Sequence, residues 1–139
     1  ITPNWSILAS YAYIDARITK TASNSEKDFD MQRPSTPRHS GNIWTKYIIT
    51  EGPLKHLGFG AGYNFVTERY GQVGRRANTT VYPGYGLVNA VLYYKINQIQ
   101  FQANLNNILN KTHWVGGYDK LRSFPGAPRN VNISISYKF

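Results

Sequence analysis

A chain of 139 residues is one domain by length. Its 16 Lys and Arg against seven Asp and Glu, a formal charge of +9, give a field that draws anions such as phosphate, lipopolysaccharide or a charged small ligand. The lack of cysteine removes disulfides, thiolate metal sites and thiol nucleophiles together, and the lack of any run of about 18 apolar residues excludes a transmembrane helix.

Membrane strands stay open, because ~9–11 residues with every second one apolar average to near-neutral hydropathy, and the mean hydropathy here is -0.45. Ile1-Thr2-Pro3-Asn4-Trp5 has neither the basic segment nor the apolar core of a signal peptide. The expectation is a mature chain or a fragment of a longer one.

Period-two alternation sets the first strand at about Trp5 to Thr19, with Trp5, Ile7, Ala9, Tyr11 and Tyr13 on one face and Ser6 and Ser10 on the other. Thr21 to Pro37 has no period and reads as a long loop. The second strand, about Arg38 to Thr50, turns Ile43, Thr45, Tyr47 and Ile49 outward and Trp44 and Lys46 inward; Glu51-Gly52-Pro53 makes a tight turn. In the third, Leu57, Phe59, Ala61, Tyr63 and Phe65 alternate with Gly58, Gly60, Gly62 and Asn64. Glycine on an inner face lets something pack close to the backbone, as a wide plugged barrel requires. A nucleotide-binding loop is rejected, since its Gly-x-Gly-x-x-Gly opens a helix and Tyr63-Asn64-Phe65-Val66 continues as strand.

Gly71 to Asn78, with Arg69, Arg75 and Arg76, forms a second loop, and the fourth strand covers about Thr80 to Ile96 with Val88, Ala90, Leu92 and Tyr94 outward. Asn97-Gln98 turns the chain into a fifth strand, where Ile99, Phe101, Ala103 and Leu105 oppose an all-amide face of Gln98, Gln100, Gln102, Asn104 and Asn106. A third loop, Gly116 to Pro128, leads into Val131 to Phe139, which alternates without a break and stops on an aromatic. That is a strand between lipid and water. The whole reads as all-β, an antiparallel up-and-down meander of about six long strands.

Connections alternate short and long, as in outer-membrane barrels with short periplasmic turns and long extracellular loops. Tyr13, Tyr47, Tyr70, Tyr94 and Tyr137 near strand ends fit an interfacial girdle, and strands longer than the bilayer needs project beyond it. The cations are scattered through loops and strand ends rather than interleaved with stacking aromatics, so no nucleic-acid partner is expected. His39, His56 and His113 lack neighbours at ligand spacing. Glu26, Asp28 and Asp30 lack the glycine and terminal glutamate of a calcium loop. Neither a Gly-x-Ser-x-Gly elbow nor a paired-carboxylate setting appears, so no enzyme is expected. Asn78-Thr79-Thr80 and Asn110-Lys111-Thr112 match the glycosylation sequon, which has no meaning in a bacterial envelope.

A series of words resembles the C-terminal end of TonB-dependent outer-membrane receptors, in particular their siderophore branch. They are Asn4-Trp5-Ser6, Pro37-Arg38-His39-Ser40, Gly58-Phe59-Gly60-Ala61-Gly62 with Glu68-Arg69-Tyr70, Asn106-Asn107-Ile108-Leu109-Asn110-Lys111, Pro125-Gly126-Ala127-Pro128-Arg129 and Ser136-Tyr137-Lys138-Phe139. The resemblance runs through the chain in order. It implies that residues 1–139 are the closing part of a transmembrane β-barrel in the bacterial outer membrane, with about 22 strands and a plugged lumen. Plug domain, TonB box and signal peptide would then lie in the rest of the receptor.

It further implies uptake of a ferric siderophore as transported ligand, with no cofactor bound directly and energy passed through TonB. Other partners implied are the remaining barrel strands and plug, outer-membrane lipid and lipopolysaccharide, and the β-barrel assembly machinery, whose signal falls on Ile133, Ile135, Tyr137 and Phe139. Residues eligible for an aromatic and basic ligand vestibule are Arg75, Arg76, Tyr82, Trp114, Tyr118 and Arg122. The alternative for them is a place in the outer girdle for Trp114 and Tyr82 and lipopolysaccharide binding for the arginines. Heme, cobalamin and oligosaccharide receptors share such a barrel. Two other functions compete: a small porin-like, self-associating barrel, and a soluble carbohydrate-binding β-sandwich.

Overall fold

Strict alternation leaves the backbone one economical way to satisfy its polar groups, which is a ladder to a neighbour on each side. The computed structural model describes residues 2–20, 30–72, 80–117 and 121–139. In chain order the strands are β1 (Trp5–Tyr13), β2 (His39–Ile48), β3 (Leu57–Val66), β4 (Arg69–Tyr70), β5 (Val81–Tyr82), β6 (Tyr85–Ile96), β7 (Ile99–Asn106), β8 (Trp114–Gly117), β9 (Ser123–Pro125) and β10 (Asn130–Tyr137). The six long ones form a single sheet in the order β1-β2-β3-β6-β7-β10, each antiparallel to its neighbours, and β4-β5 and β8-β9 form two small hairpin sheets. The sheet is an open part of a barrel, with β1 and β10 as its edges.

The register carries one face across all six strands. Trp5 stands opposite Tyr47, Tyr47 opposite Phe59, Phe59 opposite Leu92, Leu92 opposite Ala103 and Ala103 opposite Ile133. The adjacent row reads Ile7, Thr45, Ala61, Ala90, Leu105, Val131. This apolar face is the exposed one, with Ile133 at 77% of its free surface. A one-residue slip in any strand would move its apolar set to the polar side, so the register is set by both faces at once.

The inner face holds Ser, Asn, Gln and Gly, and its glycines are occupied from within the sheet. The Trp44 ring of β2 lies across Gly62, and the Tyr93 ring of β6 lies across Gly58; a Cβ at either glycine would overlap the ring. At Gly58 and Gly62 the close packing anticipated at β3 is supplied by rings of the neighbouring strands.

Three boundaries differ from the alternation. The first strand ends at Tyr13 rather than Thr19, because past it the Asp15-Arg17 region pairs irregularly: Ile18 N–H donates to Met31 O and Arg33 N–H to Ala16 O. The fourth breaks into β5 and β6 at Pro83-Gly84, where proline has no N–H for the ladder and Gly84 sits against the Val66 carbonyl. The turn expected at Glu51-Gly52-Pro53 spans residues 51–56, with Gly52 (φ 77°) and His56 (φ 73°) both left-handed. The Asn97-Gln98 turn is as short as expected, Asn97 taking φ 51°, which asparagine tolerates.

Candidate functional site

All three long connections leave the same end of the sheet, and their bases are fastened together there. β4 places Arg69 opposite Tyr82 of β5. The Arg69 guanidinium, in a residue only 5% exposed, donates through Nη1 to Val115 O at 3.1 Å and through Nη2 to Trp114 O, and its Cζ lies 5.3 Å from the Tyr85 ring centroid. A planar fork suits two successive carbonyls, which a lysine could not bridge in the same way. Its Nε is buried with no hydrogen-bond partner among the described residues.

On the Tyr85 ring, at 4.5 Å between centroids, leans His113, whose Nδ1 donates to the Lys111 carbonyl at 3.1 Å; a carbonyl only accepts, so that nitrogen carries the proton. Gly126 leaves room for the imidazole, and Gly117 leaves room for the Tyr82 hydroxyl. That hydroxyl shares a hydrogen bond of 3.0 Å with Ser123 Oγ. From the first loop, Ser35 N–H donates to Tyr70 O at 2.7 Å and its hydroxyl to Gly117 O at 3.5 Å.

Beneath these contacts runs a ladder of amides. Asn89 donates to Asn64 Oδ1 at 3.0 Å and accepts from Asn107 N–H at 2.9 Å. Asn107, buried and left-handed at φ 50°, donates to the carbonyls of Lys111 and Ala127 at 3.0 and 3.1 Å and accepts from Lys111 N–H at 2.8 Å. Asn110 (φ 50°) accepts from Arg129 N–H at 2.9 Å. The Asn-Asn-x-x-Asn segment is thus a knot joining the start of the third loop to its return. At the foot of the first loop, hydrogen bonds to Asp15 and then Asp30 hold the Arg17 guanidinium above its usual pKa.

Of the vestibule residues expected from sequence, Tyr82 is 3% exposed and turned into the loop base. Trp114 is 36% exposed on β8, and Arg122 lies exposed in the connection to β9. Trp114 sits opposite Pro125, with a bulge at Val115. Arg75, Arg76 and Tyr118 lie outside the described residues. Glu26 and Asp28 of the acidic stretch lie there too, and among the described residues no group of His, Asp and Glu is placed to hold a metal.

At the opposite end, Ile133, Ile135 and Tyr137 share the exposed outer face of β10. Tyr137 donates to Gln98 Oε1 at 2.7 Å, Lys138 N–H donates to Gln98 O at 2.9 Å, and the Phe139 ring meets Tyr137 edge-on at 5.1 Å. Sequence reading passed over Arg69, Asn107 and His113 as site builders. Their signals were an arginine beside a strand, an amide-rich segment, and glycines at positions 117 and 126 that leave room for rings.

Residues 1–108 match the family described as TonB dependent receptor-like, beta-barrel. The chain belongs to that family. It is a part of a TonB-dependent receptor barrel, and receptors of this kind are outer-membrane proteins of Gram-negative bacteria. Over its full length it is 29% identical to the probable TonB-dependent siderophore receptor PiuA of Acinetobacter baumannii and 30% identical to the catecholate siderophore receptor Fiu of Escherichia coli, spanning 19% and 18% of those proteins. The solved structure of PiuA superposes with a TM-score of 0.78, covering 100% of this chain and 20% of that one. The ferric preacinetobactin receptor BauA of Acinetobacter baumannii has the same fold, with a TM-score of 0.79 at 23% identity, over 99% of this chain and 20% of that one. The chain therefore spans about a fifth of the length of the relatives it matches.

A hollow of about 560 Å³ edged by Trp5, Tyr47 and Phe59 lies on the apolar outer face, where lipid chains run, and is not a candidate cargo site.

Proposed function

We propose that this chain closes the barrel of an outer-membrane receptor that takes up a ferric siderophore, with a plug in its lumen and energy supplied through TonB. The observation that carries the reading is the match over the whole chain to receptors named for siderophores, PiuA and Fiu among them. The loop base supports it, because three loops pinned by Arg69, Tyr82, Ser35 and Asn107 give a firm rim on which ligand-contacting side chains can be held.

Trp114 and Arg122, with Arg75, Arg76 and Tyr118, are the residues that stack on the chelate and balance its charge, and Tyr82 holds the rim. Ile133, Ile135, Tyr137 and Phe139 mark the strand for barrel assembly. The family is one of transport receptors, and the chain acts in transport rather than catalysis. The test is uptake of radiolabelled ferric catecholate and ferric hydroxamate siderophores by a receptor-deleted host carrying the full-length gene, with and without functional TonB. TonB-dependent accumulation of one class is expected. Passive, TonB-independent conductance instead would favour the porin-like alternative.

A further inference from the structure

Among the Asp, Glu, Lys and Arg residues, only Lys46 of β2 and Lys95 of β6 lie within the six sheet strands; all seven acidic residues lie in the connections. Both lysines are on the inner face. Lys46 stands opposite Gly60 and Gly60 opposite Val91, while Lys95 stands opposite Gln100 and Gln100 opposite Ser136. Both are in the half of the sheet near the short turns, and Lys138, next to Gln98 in the β6-β7 turn, adds a third cation at that rim. In the half near the loops the inner-face polar groups of the strands are amides and hydroxyls, such as Asn42, Asn64, Asn89 and Asn106, beside apolar Val66 and Leu87.

Lys46 is also held in place. Its Nζ lies 4.8 Å from the centroid of the Tyr93 ring, and that ring is fixed across Gly58 while Trp44 is fixed across Gly62. Trp44, Lys46, Tyr93, Gln100 and Gln102 line a hollow of about 260 Å³ on the inner wall. No ion pair involves Lys46 or Lys95 among the described residues, the three ion pairs there all belonging to Arg17 and Arg38. A cation that a second body covers and strips of water needs an anion supplied by that body.

We infer that this hollow is the docking point for a carboxylate side chain of the receptor's lumen-filling domain. Lys46 donates to that carboxylate alongside the Gln100 amide, and Lys95 and Lys138 extend the positive strip toward the short-turn rim. The inference rests on the reading above that the full protein has such a domain. Charge complementarity selects an acidic segment for the part of that domain nearest the short turns.

The test uses the full-length receptor, purified in detergent without siderophore and treated with a water-soluble carbodiimide, which joins only amines and carboxylates already in contact. Peptide mass spectrometry is expected to show Lys46 linked to an Asp or Glu of the N-terminal domain. Acetylation of Lys46 by an N-hydroxysuccinimide ester should be several-fold slower than that of Lys55 in the β2-β3 turn. Lys46→Gln is expected to lower the urea concentration at which the inner domain unfolds, with Lys46→Arg restoring it. A Lys46 that remains unlinked and as reactive as Lys55, with the N-terminal domain present, overturns the inference. Protection of Lys46 only when a ferric siderophore is added overturns it too, in favour of a cargo contact. An intact mass showing no N-terminal domain overturns the receptor reading itself, so the two failures are distinct.

Discussion

Replacing Arg69 by methionine keeps an unbranched apolar stem and removes the guanidinium, which lies over the Tyr85 ring and bridges Trp114 O and Val115 O. Hydrogen bonds from a charged donor contribute roughly 1.5–3 kcal/mol each. Two of them amount to about 3–6 kcal/mol, and relief of the buried, unpartnered Nε returns about 1–3 kcal/mol of that. The net loss is about 2–3 kcal/mol, confined to the loop base because the six-stranded ladder does not involve this side chain. At 1.4 kcal/mol per tenfold, protection should fall by about 30-fold to 140-fold. Hydrogen exchange on the full receptor reads this directly at Gly126 N–H, which donates to His113 O, and at Ser35 N–H, which donates to Tyr70 O. Arg69→Lys should recover only part of the protection, since an ammonium cannot present two coplanar donors. Unchanged exchange at these amides in Arg69→Met, or an equal rise throughout the long strands, would refute the argument that Arg69 fastens the loops to one another.

Asn107→Asp keeps the acceptor for Lys111 N–H but turns a carboxylate toward the carbonyls of Lys111 and Ala127, so a loss of about 2–4 kcal/mol is expected, read as increased protease cleavage between residues 107 and 129. Asn107→Gly, which accepts φ 50° without strain, should be no better than Asn107→Ala if the side-chain bonds dominate. Gly62→Ala drives a Cβ into the Trp44 ring and should cost about 1–3 kcal/mol, seen as a lower temperature for the heat-induced shift in gel migration together with a changed Trp44 emission. Trp114→Ala and Arg122→Ala should raise the KM for ferric siderophore uptake with little change in maximal rate, whereas Tyr82→Phe should act mainly on loop exchange through the lost Ser123 bond. Phe139→Ala should lower the amount of assembled receptor in outer-membrane fractions while leaving uptake per assembled molecule intact.

The strand faces were legible because a period of two is a local property: Leu57 to Phe65 and Ile99 to Leu105 declare their outer sides without reference to anything else. Alternation also requires each apolar set to meet its neighbour's across the ladder, which excludes one-residue slips, but a two-residue slip keeps the faces, so the pairs themselves come from the structure. What alternation could not show is where pairing stops. Tyr13 and Ile14 look alike in sequence, and the strand ends there through ion pairs and backbone bonds made with residues near Asp30 and Arg38. The loop base was hidden for a related reason. Arg69, Tyr82, His113 and Ser123 meet only after three connections fold toward one another, and sequence spacing carries no record of that. Tyr82, an aromatic beside a loop, is eligible from sequence for a ligand vestibule or for the outer girdle; its burial follows from its place opposite Arg69 on a two-residue strand.

The distribution of burial explains where this fold is sensitive. A soluble domain gathers its apolar side chains into one core, but here the apolar face looks outward and the buried set is small and mostly polar: Arg69, Tyr82, Asn107 and His113 among the described residues. The long strands are held by their backbone ladder and by the lipid that covers Ile133, Ile135 and their row-mates, so single apolar truncations on that face leave no cavity in a protein interior. Directional contacts are concentrated instead at two levels. One is the loop base, where hydrogen bonds fix the rim; the other is the Trp44, Lys46 and Tyr93 cluster on the inner wall, where glycines let rings lie flat. Substitutions at these two levels should alter recognition and plug seating while the barrel still assembles. Changes in the terminal strand should do the reverse.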